Sequence, residues 1–164
     1  MAPGPHGALT LFLDFDGVTH PDRARPERQF EAVPLIEKVL RDHPEVEVVL
    51  STSWRETYPL DELRYLFSID ISERIVGMTP IYSGDRPWPA LPYERAQKTR
   101  HAECQMWLYE NRSLEHPWIA VDDRPWWFDP DCKNVFAVDL NTGFTVADQE
   151  LLSQMIRTML SAHG

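Results

Sequence analysis

The stretch LFLDFDGVTH, residues 11–20, places Asp14 and Asp16 one residue apart at the end of an apolar run, with Gly17 directly behind them. Carboxylates so placed repel one another and lose hydration, so a cation, a proton or the hydrogen bonds of a tight turn must compensate. A second acidic pair, Asp122 and Asp123, closes WIAVDD, and three hydroxyls, Ser51, Thr52 and Ser53, close VEVVLSTS. Carboxylates converging at one edge would hold a divalent cation. Mg²⁺ suits best, being hard, oxygen-seeking and content with a few carboxylates, waters and a substrate phosphate. A carboxylate beside such an ion can act as a nucleophile and form an aspartyl-phosphate. Hydroxyls such as Thr52 and backbone N–H groups would hold the equatorial oxygens. A cation, Lys98 or Arg100, would balance the charge that develops.

These groups can meet only if the segments carrying them share an edge. Strands are expected at about 8–15 and in VEVVLSTSW, RIVGM, WIAVDD and NVFAVD. Helices are expected at 31–43, with Pro34 in the first turn, and around 60–68. TRHAECQMWLYE reads as a helix with Thr99 as N-cap and a buried stripe of Cys104, Trp107 and Leu108. TGFTVADQELLSQMIRTML reads as a last helix, with Thr145 before Asp148 at its opening and Leu151, Leu152, Met155, Ile156 and Met159 on one face. Alternating strands and helices indicate an α/β, Rossmann-like three-layer sandwich around a central parallel sheet. In such sheets ligands bind at the carboxyl ends of the strands, near the switch in strand order, which is where three of these strands turn polar.

The chain has 164 residues, 43% hydrophobic and 26% charged, values of a folded domain. We expect a flexible Pro- and Gly-containing lead-in at 1–7 and a single domain at 8–164. A net charge of −10 argues against extended, non-specific nucleic-acid binding. It leaves room for a local basic pocket. No apolar run is long enough for a membrane span, and MAPGPHGA lacks the features of a signal peptide. Cys104 and Cys132 form neither a disulfide framework nor a metal-ligand spacing, so a reduced, cytoplasmic protein is expected.

DFDGV, STSWR, a basic residue opening a helix and a strand ending in DD, in that order, resemble the four signature motifs of the haloacid dehalogenase (HAD) superfamily from Leu9 onward. The resemblance implies that Asp14 is the nucleophile and Asp16 the general acid/base. It implies a metal held by the Asp14 side chain, the Asp16 backbone carbonyl and Asp122, with Asp123 assisting. The phosphate-binding hydroxyl would be Thr52 in preference to Ser51. The cation would be Arg100 in preference to Lys98, since Arg100 lies four residues before Cys104 and seven before Trp107. The closest likeness is to a compact bacterial HAD group sometimes fused to RNA-repair enzymes, and DDRP also occurs among HAD deoxyribonucleotidases. Only about 34 residues lie between Asp16 and Ser51, and about 45 between Ser53 and Arg100, too few for a large α/β cap. The chain resembles the capless class, whose open site suits a macromolecular end, a phosphoprotein or a substrate closed off by another subunit.

Simpler readings compete for the flanking residues. DxDG alone is compatible with a turn, and the calcium-loop pattern fails because Gly17 stands at the fourth position rather than the sixth. Arg55 is a candidate for substrate phosphate but reads more simply as a surface ion pair. Trp54, Trp126, Trp127 and Phe128 read as cover over the core before they read as a stacking platform. His20 reads as a hydrogen-bonded or solvated loop residue, and Trp88 lies in a proline-rich segment, 79–92, that would form a small lid. The expectation is a Mg²⁺-dependent phosphomonoesterase acting on a nucleotide or nucleic-acid end. A phosphoprotein phosphatase and a non-catalytic HAD scaffold are the alternatives.

Overall fold

Five short apolar segments, none longer than five residues, build the sheet, and their alternation decides what each face carries. A computed structural model describes residues 7–82 and 99–163. The lead-in apart from Gly7, Lys98, Trp88 and the 83–92 part of the expected lid lie outside the described residues. The strands are β1 (Leu9–Leu13), β2 (Val46–Leu50), β3 (Ile75–Met78), β4 (Trp118–Asp122) and β5 (Val135–Ala137). All pairings are parallel, in the order β3-β2-β1-β4-β5. β1 is therefore central, with β2 on one side and β4 on the other, and the switch in strand order falls between β1 and β4.

The helices are α1 (Val33–Asp42), α2 (Leu60–Arg64), α3 (Ile69–Ser72), α4 (Thr99–Asn111) and α5 (Val146–His163). Leu9, Leu11 and Leu13 of β1, Val46, Val48 and Leu50 of β2, and Ile119 and Val121 of β4 pack with α1 and α5 residues in one core. The alternate residues Phe12, Val49, Trp118 and Ala120 pack with Cys104, Trp107 and Leu108 of α4 on the other face. This is the three-layer sandwich expected from the sequence, and the pattern continues past the strand ends. By the two-residue period, Asp14, Ser51 and Asp122 fall on the α4 face, while Thr52 falls on the opposite one.

The structure revises several local expectations. Thr99 is itself helical in α4 rather than its cap. The expected 60–68 helix ends at Arg64, and a separate turn of helix, α3, follows. Leu151 is 56% exposed although it belongs to the apolar stripe, because α5 buries only the side carrying Leu152 and Ile156 against α1 and the sheet. The opening of α5 holds: the Thr145 hydroxyl and N–H both donate to Asp148, at 3.0 and 2.8 Å. Between β1 and β2 lie only a 3₁₀ turn, Pro26–Arg28, and α1, and the described residues contain a single sheet, so no large cap is present among them. No helix among the described residues is long and apolar enough to cross a membrane.

Candidate active site

The period that alternates the core also loads one rim. Asp14 follows β1, Asp122 ends β4 and Asp123 follows it; each offers a carboxylate oxygen within 4.8 Å of the others, and all three residues are buried. Arg100, in the first turn of α4, reaches across to them. Its Nη1 donates to Asp122 Oδ2 at 2.7 Å and to the Ser51 carbonyl at 2.8 Å, and lies 3.4 Å from Asp14 Oδ1. One guanidinium thus ties together the ends of β1, β2 and β4. Burial opposes its charge, but Asp122 and Asp14 outweigh that cost and raise its pKa further.

One guanidinium does not neutralise three carboxylates. Burial, then repulsion from Asp122, pushes the Asp14 carboxyl well above its ordinary range. Burial likewise raises Asp122, to about 6, despite Arg100. Neither carboxylate oxygen of Asp123 has a hydrogen-bond partner among the described residues. A buried carboxylate with neither oxygen hydrogen-bonded, in a site where three carboxylates outnumber Arg100 and the more distant Arg124, 4.0 Å from Asp123, fits a divalent cation bound through oxygen. The residues present therefore suit Mg²⁺.

Gly17 makes room for this arrangement. It adopts φ +80°, which glycine takes freely, and a Cβ there would collide with the Asp123 carboxylate. The Phe15 N–H donates to Asp14 Oδ1 at 2.8 Å and fixes that carboxylate within the turn.

The hydroxyls of STS are not equivalent. The Thr52 hydroxyl accepts from the Trp54 N–H at 3.2 Å and caps the short 3₁₀ turn Ser53–Glu56. Ser51 Oγ is buried and makes no hydrogen bond among the described residues. Ser53 is exposed at the start of the turn. Cys104 lies behind Ser51, and burial pushes its thiol up, so it stays protonated and inert.

Arg55 is fully engaged away from the carboxylates. It pairs with Glu103 at 2.8 Å and donates to the carbonyls of Thr52 and Thr79 at 2.7 and 3.0 Å. The ion pair expected at the surface is buried instead, because Glu103 faces inward from α4. All of these partners being internal, Arg55 ties the β2 turn to α4 and the end of β3.

Asp16 stands apart from the acidic cluster. Its carboxylate accepts from His20 Nε2 at 2.8 Å and from the Trp54 indole N–H at 3.1 Å. Those two bonds, the His20 bond first, hold it below the usual carboxylate range. The sequence did not single out either ring as a partner of Asp16. The only signal was their nearness to the motifs, His20 closing the first and Trp54 lying inside STSWR. The aromatic loop also divides: Phe128 is buried under α4, Trp127 packs beside it with the guanidinium groups of Arg100 and Arg124 5.0 and 5.1 Å from its ring, and Trp126 is 52% exposed.

Neither the curated proteins nor the solved structures compared with this chain gave a match. The model of a family described as the HAD domain in Swiss Army Knife RNA repair proteins matches residues 10–149, which include all of β1 but Leu9, β4, the acidic cluster and Arg100. With most of its length covered by that match, the chain belongs to this family of compact HAD domains.

Proposed function

We propose that the chain is a Mg²⁺-dependent phosphomonoesterase that works through an aspartyl-phosphate on Asp14. The observation that carries this is the buried trio Asp14, Asp122 and Asp123, with neither oxygen of Asp123 hydrogen-bonded among the described residues, facing Arg100 at the switch point of a parallel sheet. Asp14, held by the Phe15 N–H, attacks phosphorus, and the bond from phosphorus to the leaving oxygen breaks as Asp16 delivers its proton to that oxygen. Asp16, then a carboxylate, takes a proton from water as that water attacks the same phosphorus, freeing Asp14 and inorganic phosphate. The lowered pKa of Asp16 keeps it ionised, the form that takes the proton from water, and makes it a strong acid when it carries the proton. Mg²⁺ held by the Asp14, Asp122 and Asp123 carboxylates and the Asp16 carbonyl would offset the repulsion between nucleophile and phosphate. Arg100 balances charge on the transferring group. Ser51, on the Asp14 side of the sheet with its hydroxyl unspent, is favoured over Thr52 as the phosphate donor.

The substrate proposed is a terminal phosphomonoester on a nucleotide or nucleic-acid end, supported by the family match and by the absence of a large cap among the described residues. The test is hydrolysis of an aryl phosphate with Mg²⁺ and with chelator, comparing wild type with Asp14→Asn. Metal-dependent turnover lost in the variant is expected. Turnover of phosphopeptides in preference to phosphorylated oligonucleotides would replace the substrate reading, and failure of the wild type to bind beryllofluoride with Mg²⁺ would replace the enzyme reading with a scaffold.

A further inference from the structure

Asp16 is the one acidic residue of the proposed machinery that faces solvent, with its side chain 45% exposed. A carboxylate so exposed has little reason to keep one rotamer unless it is held. Here each of its two oxygens is held by a different ring. We infer that His20 and Trp54 are positioning residues that aim the Asp16 carboxylate at the leaving oxygen, and so set how well the enzyme expels poor leaving groups. This rests on the acid–base role proposed for Asp16.

The rings are themselves fixed, which is what aiming requires. His20 is 1% exposed, and its Nδ1 accepts the Phe30 N–H at 3.1 Å, with the Thr19 hydroxyl 3.0 Å away. With Nδ1 accepting, the proton of the neutral ring sits on Nε2 and is donated to Asp16. A backbone bridge between Asp16 and His20 closes the same turn. Phe30 presents its N–H from a left-handed conformation, φ 62°, which is unfavourable for a residue with a Cβ. Its ring packs edge-on against His20 and Trp54, with centroids 4.9 and 5.1 Å away, and against Phe15 at 5.3 Å. Trp54 is held from below as well, since its backbone N–H bonds to Thr52 Oγ1. Two donors from separate segments, brought together by a strained residue, converge on one carboxylate.

The test uses the Mg²⁺-loaded protein and a series of substituted phenyl phosphates alike in shape, from p-nitrophenyl, whose phenolate leaves without protonation, to unsubstituted phenyl, whose phenolate needs it. Trp54→Phe keeps an aromatic ring and removes the N–H; His20→Leu removes the other donor; His20→Gln keeps an N–H near the position of Nε2. With general acid–base assistance worth about 10²- to 10⁴-fold, Trp54→Phe and His20→Leu should lower kcat/KM for phenyl phosphate at least about tenfold. The nitrophenyl ester should fall less than about threefold, and His20→Gln should recover most of the loss. Asp16→Asn should show the same pattern more strongly. Equal losses on every ester mean a merely structural role, and unchanged kinetics mean no role; either overturns the inference while leaving the phosphatase reading intact. Failure of the wild type to hydrolyse any of the esters would sink the phosphatase reading and this inference with it. Should His20→Leu not fold, the Trp54→Phe comparison decides alone.

Discussion

Replacing Asp123 by asparagine should make the metal-free protein more stable. The side chain is buried, neither carboxylate oxygen has a hydrogen-bond partner among the described residues, Arg124 Nε comes no nearer than 4.0 Å, and its oxygens share a 4.8 Å neighbourhood with those of Asp14 and Asp122. Two unit charges that far apart repel by about 3 to 4 kcal/mol at an effective dielectric near 20. Arg100 and Arg124, the latter 4.0 Å from Asp123, offset part of this, and proton uptake by Asp14 and Asp122 relieves more, so a net gain of about 1 to 3 kcal/mol is expected. For a chain of this size that corresponds to a rise of roughly 3 to 9 °C in Tm. Thermal denaturation in chelator reads the gain directly. Saturating Mg²⁺ should then raise the wild type well above its metal-free value and raise Asp123→Asn much less, reversing the order of the two proteins. A lower Tm for Asp123→Asn in chelator would refute the reasoning, since it would mean that the carboxylate stabilises the fold without a metal ion.

Stability of the metal-free protein should also fall as pH rises from about 4 to above 6. The folded state holds the Asp122 proton up to about 6 whereas the ordinary value is 3.8, so stability present at low pH is lost as the group ionises, by up to roughly 3 kcal/mol. A series of Tm values against pH in chelator should slope downward through that window, and Mg²⁺ should flatten it. Arg100→Met strips the guanidinium from Asp14 and Asp122 and should cost about 3 to 5 kcal/mol in a urea titration without metal. A loss under 1 kcal/mol would show that the carboxylates take up protons and do not need it. Arg55→Met should lower stability by a similar amount by orphaning Glu103 while changing KM little, and adding Glu103→Leu should recover much of the loss. A large rise in KM with unchanged stability would return Arg55 to the substrate.

The layered fold and the three polar strand ends were legible because they depend on local pattern. Apolar runs, a period of two and the order of segments are enough to place Asp14, Ser51 and Asp122 on one rim. What escaped depends on the path of irregular backbone. His20 and Trp54 meet Asp16 from four and 38 residues away, through a loop whose course turns on the left-handed Phe30. No propensity reading places a phenylalanine there. The preference proposed for Ser51 over Thr52 turns on which hydroxyl the following 3₁₀ turn consumes as its cap, and that turn is not marked in STSWR. Arg55 was read at the surface because arginine usually is, yet Glu103 faces inward from α4 and draws it in. Leu151 shows the converse: an apolar stripe wider than the groove it packs into leaves its edge in water.

The acidic trio and Arg100 belong to no single segment, since β1, the end of β4 and α4 must all be docked before the oxygens converge, and Arg100 also grips the end of β2. A ligand seated there draws its affinity from the alignment of the three central strands, so releasing any one of them releases the ligand. Occupancy should then protect amides throughout β1, β2 and β4 against hydrogen exchange, and not merely those beside the site, by the same increment that it adds to global stability. Fraying of the far end of α5 should pass unnoticed by the ligand. The rim would act as a keystone for the sheet, sensing whether the middle of the molecule is assembled and largely indifferent to its edges.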